Sequence, residues 1–451
     1  MNNQKAKNGM DRREFLRSSA AVGAGLAFSP FFSGRAAGSE SDDINIALLG
    51  AGTEGQVLMN AIRNIPGIQF KAVCDIWEKY NLRRTARTLK AYKYEVNEYL
   101  DYQDMLANEK DLDAVIIATP DFWHSEHTVA CLEAGLHVYC EKEMSNTLDG
   151  AKKMVEAAKK TGKLLQIGHQ RRSNPRYLHC YDKLITEAHL CGRMTTINGQ
   201  WNRSKAACED LTWPQNAVID TAILKKYGYD SMQQFRNWRW YKGLGGGPIV
   251  DLGSHQIDIY SWFLGANPKS VMAGGGIDYW KNHDWYDNVM AIYEYETKAG
   301  TVRAFYQTIT TNSGQGYFEQ FMGDEGTLLI SEAAARGKVY REVWVPAEKW
   351  DKWVKAGYIT AVEAEPAEPV AAGVVLDVRE SPTPPSYDIP VTLDKPVHQP
   401  HLENFFDAIR GKASLNCPPE VGYETAVTVL KVNDAVEAGR RLDFNPDDFK
   451  V

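Results

Sequence analysis

Lys142, Asp251 and His255 are side chains of the types that move protons and hold hydroxyl groups. A lysine amine accepts a proton only when burial or a nearby cation pushes it toward its neutral form. Lys142 sits where the apolar run 137–142 ends in charge, and on spacing alone it reads as a solvated lysine at a strand end. Asp251 and His255 are four residues apart, which on a helix puts both on one face. The stretch 248–258 supports that helix, opened by Pro248. Gly245, Gly246 and Gly247 ahead of it let the chain come close to a ligand. Such a pair could supply a base and a hydroxyl ligand, or be a satisfied pair in a core. One Asp and one His do not make a metal site, so no metal is expected.

Those residues need a redox partner and a frame. Gly50-Ala51-Gly52-Thr53-Glu54-Gly55 is G-x-G-x-x-G, set between the apolar run 44–49 and a helical stretch, 56–64. That context makes the motif a dinucleotide site. Gly50 allows the tight turn, Gly52 admits the pyrophosphate, and Gly55 lets helix pack on strand. The pyrophosphate then rests on the helix N-terminus, beside Thr53 and Glu54. Asp75 ends the next run, 70–75, twenty positions after Gly55. A carboxylate there binds the adenosine ribose hydroxyls and repels a 2′-phosphate, so NAD is expected rather than NADP. The plainer reading of Asp75 is a turn residue after a strand.

The runs 113–120, 137–142 and 164–168 read as further buried strands of a parallel sheet, with a helix over 125–134. Ligands of such sheets bind at the carboxyl ends of the strands. Thr119, Pro120, His124, Glu141, Lys142, Gln170, Arg171 and Arg172 are therefore expected around one crevice. His124 could instead cap its helix, and Arg171-Arg172 could be a solvated turn. Arg83 and Arg84 are expected on a helix, in solvent.

The order of these motifs resembles the glucose–fructose oxidoreductase and inositol dehydrogenase (Gfo/Idh/MocA) family, from about Ile44 to the C-terminus. The glycine motif, Ala118-Thr119-Pro120-Asp121 with His124, Glu141-Lys142 as the start of an E-K-P motif, and Asp251…His255 carry the likeness. The resemblance implies an α/β protein: a Rossmann domain over 42–168, then an α+β domain over 169–451 with an open, mostly antiparallel sheet. It implies NAD held by Gly50, Gly52, Thr53, Glu54, Gly55, Asp75, Thr119, Pro120, His124, Glu141, Lys142 and Gln170. It implies Lys142, Asp251 and His255 as catalytic and a sugar or polyol between the domains; Arg171 and Arg172, which could hold a substrate oxygen or the nicotinamide end, and Trp238 and Arg239 are further expected substrate contacts. The helices over 401–410 and 423–439 should return toward the nucleotide domain. One departure is Glu143, where the family carries proline; this unsettles the local backbone and adds a carboxylate near Lys142.

Trp201, Trp213, Trp238, Trp240, Trp280 and Trp285 crowd the second domain. Aromatic faces stack on sugar rings, but most of the six are expected in cores, with Trp238-Arg239-Trp240 the best site candidate. The runs 195–201, 288–295, 301–310 and 326–331 alternate in character and suit one broad sheet, whose free face would join copies of the chain in a homo-oligomer. The stretch 363–396, rich in Pro, Ala, Val and Glu, reads as an extended loop. Tyr177 and His179 belong to no motif.

Composition narrows the classes. The chain has 451 residues and is 44% hydrophobic, which argues for more than one domain and against a disordered chain. A net charge of −7 argues against nucleic acid as a partner. No apolar window is long enough to span a bilayer, so no membrane anchor is expected. Seven cysteines without a C-x-x-C pair argue against a zinc ribbon and a disulfide framework, and buried thiols are expected. Residues 1–38 read as a Tat signal: Arg12-Arg13-Glu14-Phe15-Leu16, an apolar run over 20–32, then small residues. Tat cargo folds before export, so a nucleotide would travel with the protein to the periplasm.

The expectation is a periplasmic NAD-dependent oxidoreductase that moves hydride between nicotinamide and a ring carbinol of a sugar or glycoside, with C3 favoured on family grounds. Two rivals use the same fold. One is a glycosidase that oxidises its sugar transiently, eliminates and returns the hydride. The other is a sugar-binding protein without turnover.

Overall fold

The computed structural model describes residues 43–362 and 383–451; the leader 1–38 and most of the 363–396 stretch lie outside the described residues. Strands β1 (Ile44–Leu49), β2 (Ile68–Cys74), β3 (Asn97–Tyr99), β4 (Ala114–Ile117), β5 (His137–Cys140) and β6 (Leu165–Ile167) form a parallel sheet in the order β3-β2-β1-β4-β5-β6. Between them run α1 (Thr53–Ile62), α2 (Arg83–Ala91), α3 (Tyr102–Asn108), α4 (Asp121–Glu133) and α5 (Leu148–Thr161). Arg83 lies on α2 in solvent, paired with Glu78. Successive side chains of a strand face opposite sides. Ile44, Ile46 and Leu48 accordingly join one apolar cluster with α1 and α2, while Ala47 and Leu49 join the other.

The register sets up the crevice. Leu49 pairs with Cys74 and with Ile117, Ile117 with Cys140, and Cys140 with Ile167. The strands end flush, so Gly50, Asp75, Ala118, Glu141 and Gly168 emerge along one edge of the sheet.

The second sheet holds β7 (Met194–Asn202), β8 (Pro268–Gly276), β9 (Asn288–Thr297), β10 (Gly300–Ile309), β11 (Tyr317–Gly323), β12 (Gly326–Ile330), β13 (Lys338–Arg341), β14 (Thr360–Ala361), β15 (Ser386–Asp388) and β16 (Leu442–Asp443). Among the described residues only its β7–β10 pairing is parallel. β9 shows the alternation of a half-covered strand. Val289, Ala291, Tyr293 and Tyr295 are buried on the side of α6 (Gly247–Leu264), while Met290 and Ile292 are exposed on the other side.

The helices α7 (Gln399–Ile409) and α8 (Pro419–Ala438) follow the sheet strands, before the short β16. Leu402, Phe405 and Phe406 of α7 share a cluster with Ile46 and Leu48 of β1. α8 packs on α5, α6 and β8. One apolar cluster runs from Val115 and Val138 through Ile249 and Tyr260 to Tyr293, and the described residues form one compact unit. The halves at 42–168 and 169–451 therefore share a core rather than standing apart. All seven cysteines are free and buried.

Candidate active site

The glycine loop is shaped by backbone contacts. Gly50 has φ +93°, a left-handed value, and a Cβ there would lie 2.6 Å from the Ala118 carbonyl. A Cβ on Gly55 would lie 2.0 Å from the Gly50 oxygen, so Gly55 is the point where α1 packs on the loop. A Cβ on Gly52 would meet nothing closer than Asn81 Nδ2 at 3.8 Å, so this face is open. α1 begins at Thr53 with no side-chain cap, leaving its first N–H groups for an anion. A cavity of about 170 Å³ lies against this end, lined among others by Gly52, Thr53, Glu54, Asp75, Thr119 and Pro120.

Asp75 also holds the loop together. Its Oδ2 accepts from Ala51 N at 2.8 Å and Asn81 Nδ2 at 3.2 Å, and its Oδ1 from Trp77 N at 2.7 Å. Burial pushes the carboxyl up against those bonds. The turn reading and the ribose reading of Asp75 are thus compatible: Oδ1, which accepts one bond, keeps lone-pair capacity at the cavity that Asp75 lines. The open Gly52 face, the uncapped helix end and this carboxylate together fit a dinucleotide.

A second cavity of about 570 Å³ adjoins the first; Thr53, Glu54, Glu141, Lys142 and Arg239 line both. Lys142, Asp251 and His255 meet here. Lys142 Nζ donates to the Asp251 main-chain O at 2.6 Å and lies 3.2 Å from Oδ1; their side chains are only 12% and 17% exposed. Arg239 Nε donates to the same Oδ1 at 3.1 Å. Burial works against the Asp251 charge, but Lys142, Arg239 and Arg203 outweigh it and hold the carboxyl well below the usual range. His255 lies one turn on along α6, its ring 5.2 Å from that of Trp201, with Nδ1 buried and unpartnered. Burial, then Lys142 and Arg171, keep it neutral. A neutral imidazole and an ammonium donor, both at one cavity, are what proton transfer to and from a hydroxyl requires.

Other expected ligands have different work. Arg171 is buried between Glu319 and Glu332, and Arg172 makes a bidentate pair with Asp258, which also accepts from Thr425. Both arginines brace the core and neither lines either of these two cavities; burying two guanidinium groups requires such paired carboxylates. His124 is buried, with Nδ1 2.7 Å from the Glu143 O and Nε2 2.6 Å from the Thr119 O. Two carbonyls call for two ring protons, but burial lowers the pKa to about 4, so the neutral ring donates to only one of them. It fastens the loop after β4 to the loop after β5 and is no cavity-lining group. Gln170 lines the larger cavity, with Nε2 3.3 Å from Glu332, rather than the nucleotide cavity.

The Lys142–Glu143 peptide is cis. The Glu143 carboxyl does not enter the cleft: Oε1 accepts from Met144 N, Oε2 is buried without a partner, and burial pushes the group up to about 8. Trp238 packs in an apolar cluster with Trp77 and Tyr229 while touching the nucleotide cavity, with Arg239 4.3 Å above its ring. Trp201 and Trp240 line the larger cavity; Trp213 leans on the Trp77 cluster, and Trp280 and Trp285 bond to Thr310 and to the Gly245 O. Tyr177 donates to Glu319, and His179 meets the Tyr358 O.

Two cleft residues, Arg203 and His398, had no sequence signal, and Asp121 was quoted only as part of the loop motif. Arg203 lies just past β7, and Asp121 opens α4, its carboxyl pushed up to about 7 by burial. His398 precedes α7, with Nε2 3.3 Å from Glu54 Oε1. Glu54, Glu141 and His398 bring one ligand atom each within 4.8 Å of one another, a grouping with metal-ligand spacing that neighbouring motifs did not foretell. Burial and the Glu54 charge push Glu141 up to about 8, so a proton serves to relieve the pair.

Comparison with known proteins agrees with this geometry. Residues 44–169 match the family model described as an oxidoreductase family with an NAD-binding Rossmann fold, and residues 221–329 match the GFO/IDH/MocA C-terminal domain. Inositol 2-dehydrogenase of Salmonella typhimurium is 27% identical over 230 residues, 51% of this chain and 56% of that protein. The NADP(+)-dependent scyllo-inositol 2-dehydrogenase IolW of Bacillus subtilis is 29% identical over 235 residues, 51% of this chain and 54% of that protein. The aligned region thus spans little more than half the length of these relatives. Among solved structures, levoglucosan dehydrogenase in complex with NADH and L-sorbose has a TM-score of 0.65 at 19% identity, covering 89% of this chain and 99% of that one. The WlbA dehydrogenase of Bordetella pertussis, with NADH and UDP-GlcNAcA, has a TM-score of 0.63 at 18% identity, covering 90% and 100%. The two family domains stand in order over more than half of the sequence: the chain belongs to the Gfo/Idh/MocA oxidoreductases, with an NAD-binding Rossmann domain.

Proposed function

We propose that this protein is an NAD-dependent oxidoreductase acting on a ring carbinol of a sugar or glycoside. The carrying observation is the meeting of Lys142, Asp251 and His255 where the nucleotide crevice opens into the larger cavity. NAD, when bound, supplies the hydride acceptor or donor. Gly52, the start of α1 and Asp75 would hold its pyrophosphate and adenosine ribose. Lys142 presents its ammonium to the carbinol oxygen and is itself aimed by two contacts to Asp251. His255, kept neutral, can take the hydroxyl proton. Asp251, charged throughout, stabilises positive charge on either neighbour. Trp201 and Trp240 offer flat walls for a pyranose ring.

Reaction at C3 is the specific case we favour, on family grounds. The twin-arginine leader supports Tat export to the periplasm with the nucleotide aboard. Met272, Met290 and Ile292, exposed side by side on the free sheet face, support a homo-oligomer.

The test is a panel of pyranosides incubated with purified protein and followed by mass spectrometry. A product lighter by two hydrogens, lost in Lys142→Met, is expected, together with dinucleotide released on denaturation. Aglycone release without net redox would replace the proposal with a redox glycosidase. No change in any sugar and no bound dinucleotide would leave only a binding protein.

A further inference from the structure

Among the described residues, the charged groups at the larger cavity other than Arg203 each have an ion-pair or hydrogen-bond partner or open water. Lys142 and Arg239 share Asp251, and Arg236 donates to the Thr212 O. Glu332 is held by Arg171, Glu54 faces His398, and Glu209 is exposed to solvent. Glu141 accepts from the Tyr139 hydroxyl at 3.2 Å and from Lys142 N at 3.2 Å. Arg203 lines the same wall, half-buried, yet among the described residues its guanidinium has neither an ion pair nor a hydrogen bond. It lies 5.4 Å from the ring of Trp201, and that ring stacks on Tyr317 at 4.7 Å. Its charge is felt by Asp251, Cys208 and Tyr306, and the one carboxylate of the three, Asp251, already has two cationic partners.

A guanidinium stays charged under all ordinary conditions. Removing it from bulk water without an anion is costly. Its flat fork suits a carboxylate, which it can bind through two parallel hydrogen bonds. The Trp201 ring lies within cation–π reach of the guanidinium and lines the same cavity.

We propose that Arg203 is the subsite for an anionic substituent, so that the sugar oxidised here is a carboxylate-bearing one, a uronic acid or its glycoside. This rests on the reading of the cavity as a sugar-oxidising site. It adds a specificity residue that touches the substrate's acid group rather than its reacting carbinol.

The experiment compares methyl β-D-glucuronide, methyl β-D-glucoside and the glucoside 6-sulfate on wild type, Arg203→Gln and Arg203→Lys, by steady-state turnover and thermal shift. The expected result is a KM for the glucuronide well below that for the glucoside. Arg203→Gln should raise it about 10- to 100-fold, the worth of a charge-assisted pair, while kcat and the glucoside KM change far less. Arg203→Lys should restore part of the loss. Equal effects on glucoside and glucuronide would make Arg203 a structural residue and overturn the subsite. A preference for the sulfate would overturn the carboxylate. Turnover of the glucoside alone, untouched by Arg203→Gln, would overturn the anion subsite while leaving sugar oxidation standing. Neither turnover nor thermal shift with any of the three would count against both.

Discussion

Lys142 reaches from the end of β5 across the cleft to Asp251 on α6, donating to its main-chain oxygen at 2.6 Å and lying 3.2 Å from Oδ1. One contact survives any side-chain change at 251; the other does not. Asp251→Asn therefore keeps Lys142 tethered but removes the charge that steadies it. We expect kcat to fall about 100-fold or more, in the range that a positioned proton-transfer group supplies. The dinucleotide released on denaturation should stay at the wild-type level, since Asp251 does not line the nucleotide cavity. Full turnover in Asp251→Asn would make the carboxylate a structural group.

The glycine loop gives a paired prediction. Gly50→Ala places a Cβ 2.6 Å from the Ala118 backbone at a positive φ, whereas Gly52→Ala places one in open space. Gly50→Ala should cost about 2 kcal/mol or more in stability and lower Tm. Gly52→Ala should leave Tm of the nucleotide-free protein unchanged yet weaken NAD binding at least tenfold, because its methyl stands where the anion approaches. Calorimetry and NAD titration of both variants check this. Equal melting of the two would contradict the geometry.

Much of this site was written in local patterns. The run 44–49 with its glycines, Asp75 after a strand, and the i,i+4 spacing of Asp251 and His255 depend on neighbours in sequence, and each falls at the cleft. What was not legible depends on partners far along the chain. Arg171 and Arg172 look like cleft cations until Glu319, Glu332 and Asp258 fold against them from 86 to 161 positions away. His398 meets Glu54 across 344 positions, and nothing local announces it. β3 is a three-residue edge strand, Asn97–Tyr99, too short and polar to show a period.

The arginine pair can be tested as structure. Arg172→Ala leaves Asp258, nearly fully buried, with only Thr425 as a partner. Breaking a buried ion pair from one side costs about 3–5 kcal/mol. A Tm drop of many degrees is expected, with the relative kcat/KM across a sugar panel unchanged in whatever protein folds. A selective loss on one sugar, at wild-type Tm, would return Arg172 to the binding site.

The buried titratable groups set how stability varies with pH. His124 and His169 have pKa values lowered to about 4, and His127 and His401 to about 3, in every case by burial first. These rings stay neutral in the fold but take protons when unfolded below about pH 6.5, so acid removes stability from there downward. Burial pushes Glu141 and Glu143 up to about 8 and Asp121 to about 7. For these the sign reverses: the fold keeps protons that the unfolded chain has lost above about pH 4.5, so stability falls as pH rises toward 8. The two trends oppose one another between those limits, and above about pH 6.5 only the carboxyls act. The melting temperature should therefore peak near pH 6 and decline by pH 8, with a loss on the order of a few kcal/mol. Glu143→Gln removes one of these carboxyls outside the cleft, while its amide can still accept from Met144 N. It should flatten the alkaline limb and raise Tm at pH 8 relative to wild type. A Tm profile that rises steadily to pH 8, or one that Glu143→Gln leaves unaltered, would show that these carboxyls are ionised in the fold.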